Sequence, residues 1–404
     1  MKLRLSVMMF LEFFIWGGWF VTMGSYLATT LSASGSQIGL AYATQSWGAI
    51  IAPFIFGLIA DRYFNAERVL AVTHLAGGVL LLAVARCATF PALYPLLLVY
   101  MILYMPTLAL VNAVAFRQLR DPSREFSNIR VWGTIGWIVA GLCISFVFGW
   151  DSSASIAQGA LRNTFVMCGI ASLVLGVYSL TLPKTPPVGG SNSKLRDILG
   201  LEALALLANR NFLIFFVSSI LICIPLAFYY QNANQFLTEL HVPNATGKQT
   251  LGQMSEVVFM LLIPLFLNRF GMKTTLLVGM LAWAVRYALF AFGNAGDLVS
   301  LLLLGIALHG VCYDFFFVSG QIYIDSKAGP QIKSAAQGLI TLATYGAGML
   351  IGFWAAGKIT DAYASGPGVH DWKSIWEFPA AFAAVVFVLF ALAFRNENVR
   401  YEKS

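Results

Sequence analysis

Long apolar runs separated by short polar breaks cover almost the whole chain. They recur about twelve times, and each has roughly the 20 residues that an α-helix needs to cross a bilayer. The runs are residues 7–31, 38–60, 69–86, 92–116, 127–149, 161–182, 211–237, 250–268, 274–293, 298–324, 333–357 and 375–394. This pattern predicts an all-α integral membrane protein with twelve transmembrane helices. The first run contains Glu12 and is too long for a cleaved signal peptide, so we expect it to remain in the mature protein.

Basic residues are distributed unequally between alternate loops. If Lys2 and Arg4 lie in the cytoplasm, the same side collects about 18 of the lysine and arginine residues and the opposite side about 5. Because cytoplasmic loops carry the excess of positive charge, both termini are predicted to be cytoplasmic, which requires an even number of spans. We expect a multi-pass protein of the bacterial cytoplasmic (inner) membrane.

The composition supports a lipid environment and argues against other classes of protein. Hydrophobic residues make up 59% of the chain and charged residues 11%, against about 25% charged in soluble domains. The net charge of +7 is spread over loops rather than concentrated in one patch, so a nucleic-acid partner is not expected. The five cysteines lack metal-like or disulfide-like spacing, and the four histidines are scattered. Neither a metal site nor an enzyme is therefore predicted.

The longest polar interruption, residues 183–210, is rich in proline and glycine and lies near the middle of the chain. It predicts an N-terminal six-helix half of residues 1–182, a cytoplasmic linker of residues 183–210 and a C-terminal six-helix half of residues 211–404. Parallel repeats of this kind are common among secondary transporters.

Similar loops follow the second and the eighth span. Gly57–Phe64 reads GLIADRYF and Pro264–Gly271 reads PLFLNRFG, with asparagine in place of aspartate in the second copy. The first copy, closed by Arg68, resembles the cytoplasmic signature of the major facilitator superfamily. The resemblance implies that Asp61 pairs with Arg62 and Arg68 across helix ends and holds one gating state.

Charged residues inside the spans are candidates for function, because a charge near the bilayer centre costs from about 2.5 to above 10 kcal/mol. Asp314 lies deep in the tenth span, and either functions there or is paired structurally with a neighbouring helix. Gln253 and Glu256 of the eighth span share one helical face and could both reach one solute. Alternatively, Glu256 lies near the outer mouth, about two turns from Lys248.

Two further positions are open to more than one interpretation. Arg130 and Thr134 share a face near the start of the fifth span, but an arginine there could also extend to the helix end. His309 lies one turn before Tyr313 and could be a ligand, a proton relay or a buried structural histidine.

The seventh span ends in an amide-rich stretch, YYQNANQ, which begins at Tyr229 and includes Tyr230. Phenol and amide groups could bind a polyhydroxy solute or simply face the external water.

Several motifs together resemble the nucleoside:proton symporter family of the major facilitator superfamily. They extend over nearly the whole chain and are FFIWGGW at 13–19, GSY at 24–26, YMPTL at 104–108, RVWGTIG at 130–136, QMSE at 253–256, DFF at 314–316 and SAAQG at 334–338. In that family an arginine and a threonine of the fifth span, a glutamine and a glutamate of the eighth, and an aromatic–aspartate pair of the tenth act in binding or coupling. The resemblance carries these roles over to Arg130, Thr134, Gln253, Glu256, Tyr313 and Asp314.

The resemblance also implies how a solute is held. Ribose hydroxyls would contact Glu256, Arg130 and Gln253, and the base would stack on Tyr313. Asp314 is the first candidate for the coupling proton, with Glu256 as the alternative.

Three positions depart from the family pattern. Where the family has a glutamine and an asparagine in the seventh span, this chain has Ala227 and Tyr230, and His309 replaces a tyrosine in the tenth. We include Tyr230 and His309 among the substrate-binding candidates, and we expect the contacts to the base to differ from those of the family.

The expected function is proton-coupled import of nucleosides by alternating access. A phosphate-binding loop of the GxxxxGK[ST] kind is absent from the sequence, and buried carboxylates favour a proton gradient as the energy source, without a cofactor. Two alternatives remain, a proton-linked sugar or polyol porter on the same fold and a solute sensor that has lost transport. The expected partners are a nucleoside, protons and the lipid bilayer, and we expect the monomer to function.

Overall fold

Helices lie over each of the twelve apolar runs. The structure is a computed structural model that describes residues 1–55, 63–186, 201–366 and 368–396. Lipid offers no hydrogen bonds, so an apolar chain must satisfy its backbone groups internally, and a helix does so within one segment. The all-α membrane fold predicted from the sequence is therefore confirmed.

The α-helices are, in chain order, α1 (Lys2–Phe20), α2 (Met23–Thr30), α3 (Gly35–Ile55), α4 (Ala66–Val84), α5 (Phe90–Tyr104), α6 (Thr107–Gln118), α7 (Pro122–Leu142), α8 (Ser153–Ala157), α9 (Arg162–Ser179), α10 (Arg210–Glu239), α11 (Ala245–Phe292), α12 (Val299–Ala307), α13 (His309–Tyr313), α14 (Ser319–Thr341), α15 (Met349–Ala362) and α16 (Trp372–Ala393). Within the described residues there are also π-helical segments at Cys143–Val147, Asp314–Val318 and Leu342–Gly348, a 3₁₀ helix at Leu201–Ala208, and a two-stranded antiparallel hairpin of β1 (Ala364–Gly366) and β2 (Val369–His370).

Nine helical stretches of the described chain are long and apolar enough to cross a membrane. One of them is α11, whose 48 residues contain two helices joined at Gly271, where φ is 77° and ψ is 174°. This backbone conformation is readily available only to glycine. The count of twelve spans stays a prediction.

The chain forms two units. The first consists of Met1–Ser193 with Leu237–Thr250, and the second of Lys194–Phe236 with Leu251–Ser404. The division into residues 1–182, 183–210 and 211–404 stays a prediction.

Helix α1 lies at the centre of the first unit and packs mainly against α7 and α9, while α4 packs against α9. Its aromatic side chains fill the space between helices. Trp16 lies 5.6 Å from Trp137 and 5.9 Å from Tyr104, and Trp19 lies 5.5 Å from Tyr100, all measured between ring centroids and all edge to face. This geometry is the favoured one for aromatic pairs.

The first turn of α11 is held by a carboxylate within the first unit. Asp151, which is buried, accepts hydrogen bonds from Ser145 Oγ at 2.5 Å and from the Thr246 N–H at 3.0 Å. Ser145 Oγ in turn accepts from the Gly247 N–H at 2.7 Å. The N–H groups of a first turn lack partners within their own helix, and negative charge stabilises that end. Asp151 and Ser145 therefore fix the beginning of the helix that carries Glu256.

The second unit has an aromatic core between α10, α11 and α16. Tyr287 stacks on Trp376 with ring centroids 5.5 Å apart, and Phe290 lies 5.1 Å from the same tryptophan. The Tyr287 hydroxyl donates to the Pro225 carbonyl, so this buried phenol is satisfied.

Candidate functional site

Three polar side chains of the second unit form a continuous hydrogen-bonded chain. Arg286 Nη1 lies 2.6 Å from His309 Nδ1, and His309 Nε2 lies 3.0 Å from Glu256 Oε1. A guanidinium can only donate, so His309 Nδ1 must accept, and the ring hydrogen must be on Nε2, which donates to Glu256. In this arrangement His309 is a neutral imidazole and Glu256 is the acceptor.

Arg286 is fully buried and lies among aromatic rings. Its guanidinium carbon is 3.5 Å from the ring centroid of Tyr229, and 5.5 Å and 5.6 Å from those of Trp283 and Phe290. Aromatic faces attract a desolvated cation. The side chain of Glu256 is 19% exposed, so the negative end of this chain of groups is the one that a solute can reach.

A close helix contact places His309 beside Glu256. A Cβ built on Gly310 would lie 2.5 Å from the Ser255 carbonyl carbon and 2.6 Å from the Glu256 backbone nitrogen, closer than real Cβ atoms approach. The Gly310 N–H also donates to Ser255 Oγ at 2.9 Å. Only glycine allows α13 to approach α11 at this point, and the approach brings the two functional side chains within hydrogen-bonding distance.

Aromatic side chains lie next to this chain of groups. The hydroxyls of Tyr313 and Tyr345 are 2.8 Å apart, and the Tyr313 ring lies 5.9 Å from the His309 ring and 5.2 Å from the Phe317 ring. Tyr313 is half-buried, as is Tyr230, whose ring centroid is 6.5 Å from that of His309. Half-buried rings can offer a flat face to a planar ligand.

Asp314 follows Tyr313 and is fully buried. Neither of its carboxylate oxygens accepts a hydrogen bond from the residues that the structure describes. Its backbone carbonyl accepts from Ser319, both from the N–H, which closes a π-helical turn, and from Oγ at 3.3 Å. Burying a charge without a partner is costly. The geometry therefore suits a neutral acid better than a carboxylate.

The structure places Gln231 and Asn232 of the seventh span in neither of the two environments expected from the sequence. Asn232 Nδ2 donates to Thr360 Oγ1 at 3.1 Å. The Gln231 amide pairs with the Phe353 carbonyl and the Gly357 N–H, each at 3.2 Å, with its nitrogen placed to donate and its oxygen to accept. Both residues are fully buried. These two amides hold α10 against α15 rather than binding a solute or facing external water.

Arg130 and Thr134 belong to the first unit, on α7. The Arg130 guanidinium carbon lies 4.1 Å from the ring centroid of Phe13. A Cβ on Gly133 would be 2.7 Å from Arg130 Nη1, so the arginine side chain follows α7 towards its middle instead of turning back to the helix start at Pro122. Thr134 is half-buried one turn further along. The Arg130 side chain therefore does not extend to the start of α7.

Of the three residues expected to act in gating, Asp61 and Arg62 lie outside the described residues. Arg68 is exposed in the first turn of α4. Its neighbour Glu67 is buried and accepts a hydrogen bond from the Thr185 N–H at 2.8 Å. A carboxylate does hold helix ends together here, but it belongs to Glu67, which was not among the gating residues expected from the sequence.

Arg286 is not among the site residues predicted from the sequence, where it could equally pair within the bundle or reach an interface. Glu256, His309, Tyr313 and Asp314 lie together in the second unit, with Gln253 half-buried on the same helix as Glu256. Arg286 is a lone cation inside an apolar run, and a charge in such a position is a signal in itself. Its partner is 23 residues away on another helix, and helical spacing cannot reveal such a pair.

Comparisons with known proteins identify the family of this chain. The family model of the nucleoside H+ symporter matches residues 1–399. Among relatives from Escherichia coli K12, YegT, which is named as a nucleoside transporter, is 43% identical over 98% of this chain and 94% of its own length. The xanthosine permease is 36% identical over 98% and 96%, and the nucleoside permease NupG 32% over 99% and 97%.

Comparison with solved structures points to the same family and to its fold. The crystal structure of the nucleoside transporter NupG matches with a TM-score of 0.88 at 31% identity, over 98% of this chain and 99% of that one. A peptide transporter of the POT family, at 14% identity and a TM-score of 0.75, shares the fold. The major facilitator fold expected from the sequence is thereby confirmed, and the chain belongs to the nucleoside H+ symporter family.

Proposed function

We propose that this protein imports nucleosides together with protons across the bacterial inner membrane by alternating access. The observation that carries the proposal is the hydrogen-bonded chain Arg286–His309–Glu256 beside the Tyr313–Tyr345 pair. It combines a charged acceptor that a solute can reach with aromatic rings, and these are the groups that a ribose and a base require. We also propose that both termini are cytoplasmic and that the monomer carries out transport.

Glu256 is the proposed ligand of the ribose. A carboxylate can accept two hydroxyl hydrogens, and such charge-assisted bonds are roughly twice as strong as neutral ones. The buried guanidinium of Arg286 holds His309 in the tautomer that donates to Glu256, so the carboxylate stays oriented before the solute arrives. The base would stack on Tyr313, with Tyr230 and His309 beside it, while Arg130, Thr134 and Gln253 would supply further donors.

The coupling proton is proposed to bind a carboxylate rather than His309. A hydrogen on His309 Nδ1 would point at the Arg286 guanidinium, which cannot accept it. A proton can bind Asp314 without this conflict, because its buried carboxylate oxygens accept no hydrogen bond from the residues that the structure describes. Glu256 lies within electrostatic range of Asp314, so a negative charge on either disfavours a negative charge on the other. A proton on Asp314 would therefore favour the ionised Glu256 that binds the ribose.

Uptake into proteoliposomes tests the function. Purified protein would be assayed with labelled uridine, with and without an imposed pH gradient (acid outside), and with unlabelled nucleosides, xanthosine and sugars as competitors. We expect the gradient to drive accumulation and nucleosides to compete while sugars do not. Competition by sugars alone would identify a sugar or polyol porter. Uridine binding without counterflow would identify a sensor.

A further inference from the structure

A second buried polar cluster lies in the first unit, around Glu12 of α1 and His74 of α4. Both side chains are almost completely inaccessible to solvent, and His74 Nε2 lies 2.8 Å from Glu12 Oε2. Thr107 Oγ1 lies 2.6 Å from Glu12 Oε1 and 2.5 Å from the Tyr104 carbonyl oxygen, and the Tyr104 hydroxyl donates to the Glu12 carbonyl at 2.7 Å. Tyr104 and Thr107 belong to the YMPTL motif, which has no part in the nucleoside site proposed above.

The hydrogen bonds of this cluster set a minimum for the number of protons that it holds. Ser172 Oγ donates its single hydrogen to the His74 carbonyl at 2.8 Å. It also lies 3.1 Å from His74 Nδ1, where it can then only accept, so Nδ1 must carry a hydrogen. The bond between Nε2 and Glu12 Oε2 needs a further hydrogen, from either the imidazole or the carboxylic acid. The pair therefore holds at least one proton more than a neutral histidine beside a carboxylate, so it is not left with a net negative charge.

We propose that Glu12 and His74 form a reversible proton-binding site in the first unit, separate from Glu256 and Asp314 of the second. The bound proton neutralises a carboxylate that has no exposure to water, and an unpaired buried charge would be costly. When the proton leaves Nδ1 for water, Ser172 can satisfy the ring nitrogen that it leaves behind. Its hydroxyl can turn from the His74 carbonyl to Nδ1, after which a neutral ring still donates from Nε2 to Glu12.

Several titratable groups on neighbouring helices lie close to this proton. The titratable side chains that face the pair from packed elements are Tyr100 and Tyr104 of α5, with Cys168 of α9 beside these tyrosines. The guanidinium of Arg130 on α7 lies over Phe13, the residue that follows Glu12.

Nuclear magnetic resonance of nitrogen-labelled histidine tests the proposal directly. Replacing His241 and His370 with asparagine leaves two histidines, the buried His74 and His309. Near neutral pH we expect Nδ1 to carry a hydrogen in His74 and to lack one in His309. Raising the pH should move His74 to the form protonated only on Nε2. This measurement reports proton binding whether or not nucleosides are the solute.

Two matched variants assign the proton to the pair. Glu12→Gln removes the charge that attracts the proton, so His74 Nδ1 should lack its hydrogen under conditions in which the wild-type protein carries it. Glu67→Gln makes the same change at another buried carboxylate of the first unit and should leave the conversion in place. An unchanged conversion in Glu12→Gln would overturn the proposal. If that variant does not fold, the wild-type spectra still decide, because an Nδ1 of His74 without hydrogen at all pH values, or one that never loses it, rules out a reversible site.

Discussion

Two buried histidines in this protein have opposite hydrogen-bonding requirements at Nδ1. In His309 this atom faces a guanidinium and must accept, whereas in His74 it faces a serine hydroxyl that is already donating elsewhere. A histidine takes the protonation state that its partners allow. The same residue type can therefore orient a solute ligand in one unit and hold a proton in the other.

The role of Glu256 is testable by removing its charge. Glu256→Gln keeps the size of the side chain but replaces two charge-assisted hydrogen bonds by neutral ones, a loss of about 1 kcal/mol each and so about 2 kcal/mol in all. We expect nucleoside affinity to fall by roughly 10- to 100-fold in isothermal titration. Glu377→Gln, at an exposed residue of α16, is the control and should bind normally. Wild-type affinity in Glu256→Gln would exclude the carboxylate as the ribose ligand.

Arg130 is tested by the change to lysine. Lysine keeps the positive charge but cannot present the planar fork of donors that lies over Phe13. Nucleoside uptake by Arg130→Lys should fall by roughly tenfold if the guanidinium forms one charged hydrogen bond to the solute. Arg162→Lys, at an exposed helix start, should transport at the wild-type rate. Equal uptake by both variants would mean that charge alone is needed at residue 130.

Residue patterns predicted most of the second-unit site but not the connection that orients it. Glu256, His309, Tyr313 and Asp314 stand out because polar groups inside apolar runs are costly. The contact of Arg286 with His309 depends on which helices are neighbours, and helical spacing within one span does not contain that information. For the same reason, spacing within one span could not show that Glu12 pairs with His74, which lies 62 residues away.

At the level of elements, departures from regular helix coincide with candidate functional groups. Asp314 begins one π-helical segment, Tyr345 lies in a second and Ser145 in a third. Such segments occur frequently at functional sites because they displace backbone and side chains from the regular α-helical positions. The hydrophobic runs predicted the helices themselves, because a segment that crosses lipid must be apolar and must satisfy its backbone as a helix. They could not predict the π segments, which depend on local packing.

The close approach of α13 to α11 leads to a prediction about Gly310. A methyl group there would meet the backbone at Ser255 and Glu256, so Gly310→Ala should push the helices apart and lengthen the bond between His309 and Glu256. We expect the affinity for nucleoside and the melting temperature in detergent both to fall.

Gly338→Ala provides the matched control for that change. This glycine is also helical, and its Cβ position has no heavy atom within 4 Å. Alanine there should leave affinity unchanged and raise stability slightly, because it favours the helix by up to about 1 kcal/mol. If Gly310→Ala behaves like Gly338→Ala, the close approach does not position the site.

For the whole molecule, the proposed transport cycle separates solute binding from proton coupling. Asp314→Asn makes the buried side chain permanently neutral, as a protonated carboxyl would be. We expect counterflow of nucleoside to continue in proteoliposomes while accumulation driven by a pH gradient is lost. Asp297→Asn, at an exposed loop residue, should retain both activities. Gradient-driven accumulation by Asp314→Asn would place the coupling proton elsewhere, with Glu256 as the next candidate.

The large-scale properties of the protein were the easiest to predict from its sequence. The membrane class follows from an apolar content that no soluble core could bury, and the helical fold follows from the need to satisfy the backbone in lipid. The gating role of Asp61 and Arg62 stays a prediction, as does the number of spans. Both depend on how helices meet at their ends, and one loop sequence does not determine that.

The π-helical segment at Asp314–Val318 also bears on how such a protein can change over evolutionary time. A π turn contains one residue more than an α turn, so deleting one residue there could restore the ordinary helix without shortening the span by more than about 1.5 Å. The extra residue is accommodated within the π turn, so the helices before and after it would keep close to their relative orientation, and the side chains within the turn would be redirected. A single inserted or deleted codon in this segment would therefore redirect Asp314 while α14 stays in place, and give a descendant a differently lined pathway from almost the same sequence.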